Sequence, residues 1–172
     1  MAWDLVMNAE AGHGTAVAFI SGIDAAAVAD VMNEQLVLTF SADGDDAALF
    51  KGVMPEGLAT GSNIDIDIYW SSDTATAEDC VWHVYFMRCI AGTTVLSGTG
   101  EFNTTGQEIA DAAGAAKRME IASVSISNAN ADGVQPGEMF YMLVIRDGDA
   151  TTPTADDMSG AALLYSVKLS QT

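Results

Sequence analysis

At 172 residues, 49% of them apolar, the chain suits one domain with a sizeable core and is too apolar to be intrinsically disordered. Six basic residues stand against 24 acidic ones, a formal net charge of −18, so nucleic acid and anionic membranes are excluded as partners for want of Lys/Arg clusters. No apolar run approaches the ~18 residues of a transmembrane helix. The opening MAWDLVMNAEAG lacks the basic-then-apolar order of a secretory signal, and synthesis in the cytoplasm is expected.

In chain order, WDLVM near the start reads as a short strand, and residues 1–33 as a leading arm before a domain spanning 34–172. IDAAAVADVMNEQ (23–35) predicts a helix, with Asp24 as N-cap and an Ala-rich body. QLVLTF (35–40) and ALFKGVM (48–54) predict strands flanking an acidic turn that holds Asp43, Asp45 and Asp46. NIDIDIYW is the strongest strand signal: Ile64, Ile66, Ile68 and Trp70 share one face, and Asp65, Asp67 and Tyr69 the other. CVWHVYFMRC (80–89) follows, then a Gly-rich loop, GTGEFNTTG (98–106), with no lysine after it to make a phosphate cradle. QEIADAAGAA (107–116) predicts one or two helical turns. RMEIASVSIS (118–127), EMFYMLVIRD (138–147) and LLYSVKL (163–169) complete the strands. Short alternating strands with Gly, Asp, Asn and Thr between them define an all-β antiparallel sandwich with one or two short helices.

The candidate chemical sites are few. Asp147, Asp149, Asp156 and Asp157 lie in the last loop, but without the ligand order, the sixth-position Gly or the closing Glu of a calcium loop. Arg146-Asp147-Gly148 reads as a strand end entering a turn. No metal or other cofactor is expected there or in the Asp43–Asp46 turn. His13 and His83 are isolated and too few for zinc. No nucleophile, P-loop or dinucleotide motif is present, so no catalytic residue is assigned and no enzyme activity is expected. Cys80 and Cys89 sit at opposite ends of one strand, ~30 Å apart at ~3.3 Å per residue, and on opposite faces, so no disulfide is expected between them. Trp70 and Trp82 are placed in the core, and Trp3 anchors the N-terminal arm.

One apolar feature is left over. If Trp82, Val84 and Phe86 point inward, Val81, His83, Tyr85 and Met87 point outward. If Phe140, Met142 and Val144 point inward, Tyr141, Leu143 and Ile145 point outward. A water-facing strand should be polar on that side, so this face needs a cover. Either residues 1–34 or another subunit would supply it, and Tyr85, Met87, Tyr141, Leu143 and Ile145 are the expected contact residues.

WSSD (70–73), VW (81–82), IRDG (145–148), DDMSG (156–160) and LLYSVKL (163–169) together resemble a jelly-roll-like β-sandwich module of tailed-bacteriophage virion proteins, over roughly residues 35–170. The chain departs from that pattern in lacking the Arg-studded penultimate strand, which here reads Phe140-Tyr-Met-Leu-Val-Ile145-Arg. The resemblance implies a virion structural protein. The expected role is capsid decoration: a cement protein, as a homotrimer on the capsid surface, bound to the major capsid protein and stabilising the assembled head. The alternative is a receptor- or glycan-binding module of a phage tail.

Overall fold

The computed structural model describes residues 3–9, 13–14, 25–32, 35–74, 77–94, 102–150 and 155–171. The described strands are β1 (Trp3–Asn8), β2 (His13–Gly14), β3 (Ala25–Ala26), β4 (Val28–Met32), β5 (Gln35–Phe40), β6 (Asp45–Val53), β7 (Ile64–Ser72), β8 (Asp79–Cys89), β9 (Gln107–Ala112), β10 (Glu120–Ile126), β11 (Met139–Asp147) and β12 (Ala162–Gln171). Sheet A runs β10-β7-β12-β5-β4, with β1 also paired to β12. Sheet B runs β2-β6-β11-β8-β9, with β3 on β6. All pairings are antiparallel except the two-residue β3, which runs parallel to β6. The result is a two-sheet β-sandwich, the fold class read from the alternating pattern.

The inward faces are set by strict alternation. Ile64, Ile66, Ile68 and Trp70 of β7 meet Trp82, Val84 and Phe86 of β8 and Phe140, Met142 and Val144 of β11 in one core. Trp82 is its hub, with Phe40 and Trp70 both edge-on to it at 5.1 and 5.8 Å between ring centroids. Such geometry suits the ring quadrupoles.

Among the described residues neither predicted helix forms: Ala25–Ala26, Val28–Met32 and Gln107–Ala112 are strands instead. Val28–Met32 pairs with β5 from Val28↔Thr39 to Met32↔Gln35. Helix propensities differ by only tenths of a kcal/mol per residue, and here the ladder with β5 outweighs them. Val28 and Val31 are 65% and 66% exposed on this strand, and the Asp30 carboxylate accepts the Val31 N–H at 2.7 Å. The proposed N-cap, Asp24, lies outside the described residues, as do 98–101 of the Gly-rich loop and Pro153.

Gln107–Ala112 pairs with β8 from Val84↔Gln107 to Asp79↔Ala112. Its inward residues are Ile109, in the core, and Asp111, which accepts the Trp70 indole N–H at 2.8 Å. The ladder with β8 makes this stretch a strand, and Asp111 adds a carboxylate for the buried Trp70 donor. The leading residues are woven into the sandwich: β1 pairs with β12 along its whole length, and Trp3 packs against the core.

Candidate functional site

The outward face of sheet A is built from cross-strand rows. One row is Asn8–Ser166–Tyr69–Ile121, and the next is Val6–Lys168–Asp67–Ser123. At the first row lies a groove of about 420 Å³. Tyr69 and Tyr165 supply its rings, Asn8 and Gln35 its amides, Ser166 a hydroxyl, and Leu36 and Met119 its apolar edges.

Tyr165 and Ser166 line this groove together, which a regular strand forbids because neighbours point to opposite faces. A β-bulge resolves it. The register of β12 against β7 passes from Leu164↔Trp70 to Ser166↔Tyr69, leaving Tyr165 as the extra residue. Bulges re-aim side chains in this way and are enriched beside binding and active sites. The Tyr165 hydroxyl is held 3.1 Å from Ser71 Oγ and donates to Met32 Sδ at 3.1 Å. These two contacts anchor the hydroxyl end of the ring.

The last loop is organised by Arg146, which is fully buried. It pairs with Asp156 and donates to the carbonyl of Gly160 at 2.7 Å. Asp156 also accepts the Val81 N–H at 3.0 Å, and Asp157 accepts the Asp79 N–H at 2.6 Å. Two of the four loop carboxylates thus hold the loop to β8 and β11. The other two converge with the second acidic turn: carboxylate oxygens of Asp45, Asp147 and Asp149 lie within 4.8 Å of one another. These three are the donors that would face a cation there. Burial raises Asp147 above the usual carboxylate range, against the opposing pull of His83. His83 Nε2 stands 3.1 Å from Asp147 Oδ2, an ion-pair distance without hydrogen-bond alignment, and its ring stacks on Tyr85. Gly148 sits where the chain crosses itself. A Cβ there would come 2.6 Å from the Gly44 carbonyl oxygen and 2.8 Å from that of Ala42.

The apolar outward face predicted for β8 and β11 exists as a second cluster. It holds Met87, Leu143 and Ile145 together with Ala47, Leu49, Cys89 and Phe102. Within the single chain Leu143 is 0%, Ile145 5% and Met87 6% exposed. Phe102, just before β9, is part of that packing. Tyr85 and Tyr141 pack at its margin and are partly exposed. Cys80 lies in the inter-sheet core and Cys89 in this outer cluster, on opposite faces and at opposite ends of β8.

Sequence alternation placed Tyr69 on the outward face of β7 but gave no sign of Tyr165 beside it, because a one-residue register slip leaves no compositional mark.

No family model and no curated protein matches the sequence. The fold is similar to solved structures. A xylan-binding module, CBM15, matches with a TM-score of 0.51 at 13% identity, covering 99% of this chain and 98% of that one. An exo-beta-1,3-galactanase from Phanerochaete chrysosporium, solved with galactose, matches with a TM-score of 0.54 at 10% identity, covering 97% of this chain and 29% of that one. The CBM22-1–GH10 modules of Clostridium thermocellum xylanase 10B, complexed with xylohexaose, match with a TM-score of 0.50 at 12% identity, covering 96% and 27%. The chain thus spans under a third of the two enzymes and nearly all of the xylan-binding module. At these identities the likeness is one of fold: a jelly-roll-like β-sandwich resembling carbohydrate-binding modules.

Proposed function

We propose that the chain is a glycan-binding module whose recognition face is the outward side of sheet A, with the Tyr69–Tyr165 groove as the sugar subsite. The observation that carries this reading is the bulge that turns Tyr165 into the same groove as Ser166 and Tyr69. Two rings with flanking amides form the kind of lining that concave ligand sites use: apolar surface with a few placed polar groups. The apolar C–H face of a pyranose ring complements the negative face of a tyrosine. Asn8 and Gln35 each offer both donors and an acceptor to sugar hydroxyls. The whole-length similarity to a xylan-binding module supports the same reading. Binding to an immobilised glycan panel tests it. Tyr69→Ala should weaken binding about tenfold, near the 0.5–1.5 kcal/mol that ring stacking adds beyond area burial. Binding unchanged by that substitution would move the site elsewhere.

The resemblance to virion proteins makes a phage tail the setting for such a module. Capsid decoration is the second reading, favoured by Tyr85 and Tyr141 staying partly exposed at the margin of the sheet B cluster. There they would contact a neighbouring copy or a capsid subunit. Electron microscopy of particles carrying this chain distinguishes tail from head.

A further inference from the structure

We infer that the groove on sheet A selects uncharged glycans and rejects polyanionic ones. This rests on the glycan-binding reading above and adds the class of ligand.

The seven described residues that line the groove are all uncharged. Lys168, on the neighbouring row of the same face, is already matched twice: its ammonium lies 3.4 Å from an Asp4 oxygen and 3.9 Å from an Asp67 oxygen. Arg118, next in sequence to the groove residue Met119, pairs with Glu120 at 2.8 Å. No lysine or arginine is among the described residues that line the groove. A uronate or sulfate settling between Tyr69 and Tyr165 would lose its water without gaining a counter-charge, which is costly. The chain's net charge of −18 adds repulsion, screened beyond ~8 Å at physiological salt. Hydroxyls meet no such obstacle, because Asn8, Gln35 and Ser166 donate and accept without charge.

Affinity gel electrophoresis tests this with the intact chain. The probes are soluble xylan, galactan and mixed-linkage glucan, each beside its carboxymethylated form. The expected result is retardation by at least one neutral polymer, and about tenfold or more weaker binding to its anionic form, equivalent to ~1.4 kcal/mol. Added salt should narrow that gap. Tyr165→Ala and Asn8→Ala should each reduce retardation. Asn8 is exposed on β1, so its variant keeps the test valid even if Tyr165→Ala folds poorly. Equal or tighter binding of the anionic forms overturns the charge selection and leaves glycan binding standing. Retardation by none of the polymers overturns both.

Discussion

Arg146 and Asp156 form a doubly hydrogen-bonded ion pair, Nε to Oδ2 at 2.9 Å and Nη2 to Oδ1 at 2.8 Å. Their side chains are 0% and 1% exposed. The pair joins the end of β11 to the last loop, and Asp156 extends it to the backbone of β8 through the Val81 N–H. A planar guanidinium facing a carboxylate fork is the strongest form of such a contact. Removing one partner strands the other charge in the interior. Asp156→Ala should therefore cost about 3–5 kcal/mol of unfolding free energy, read as a lower denaturant midpoint at unchanged slope. A loss below about 1 kcal/mol would mean the pair is solvated like an ordinary surface bridge.

Asp111 gives a pH test. Burial raises its carboxyl above the usual aspartate range, while the Trp70 indole pulls the other way and Glu120 and Asp79 add repulsion. A raised folded-state value means the contribution is fully present below ~3.9, the unfolded aspartate value, and is lost as pH rises through the folded value. Asp111→Asn keeps an acceptor for Trp70 and removes the charge. The variant should melt above the parent at neutral pH, and the difference should vanish below about pH 3.9. A variant that melts lower at neutral pH would show that the indole bond to a full charge outweighs burial.

The sheet B face also has a measurable consequence. Leu143 is fully buried within one chain, so Leu143→Asp places an unpaired charge in its own subunit. The expected result is a loss of thermal stability of about 3 kcal/mol or more, whatever the oligomeric state. Tyr141 is partly exposed. If this margin is a contact between copies, Tyr141→Ala should shift light scattering toward monomer with a smaller stability loss. An oligomeric state unmoved by Tyr141→Ala would remove Tyr141 from any such contact.

Chelation should leave the melting temperature unchanged. Asp156 and Asp157 are taken up by Arg146 and by backbone N–H groups of β8, so the loop is held without an ion. A fall on adding EDTA that calcium restores would assign Asp45, Asp147 and Asp149 to a bound cation.

The strands were legible where burial enforces period two. QLVLTF matches β5 residue for residue, and the β7 alternation of Ile64–Trp70 fixed which face is core. Legibility failed where composition and context disagreed. Ala-rich stretches at 25–32 and 107–112 carry helix propensity, yet they close the two sheets, because the neighbouring strands offer open hydrogen-bonding edges. The candidate groove was half legible. Tyr69 followed from alternation, whereas Tyr165 depends on a register shift that only the paired strand reveals. The outward apolar face was legible as a face, but the burial of Met87, Leu143 and Ile145 within one chain involves contacts distant in sequence, such as Phe102.

The β12 bulge has a genetic consequence. Leu164 pairs with Trp70 and Ser166 with Tyr69, so the partner strand has no residue opposite Tyr165. Loss of one codon would remove the ring and leave an uninterrupted ladder, with Leu164, Val167 and Leu169 still facing the core. The candidate site can thus be gained or lost by a single in-frame insertion or deletion. A lineage could thereby add or remove the candidate groove while the sandwich beneath keeps its packing.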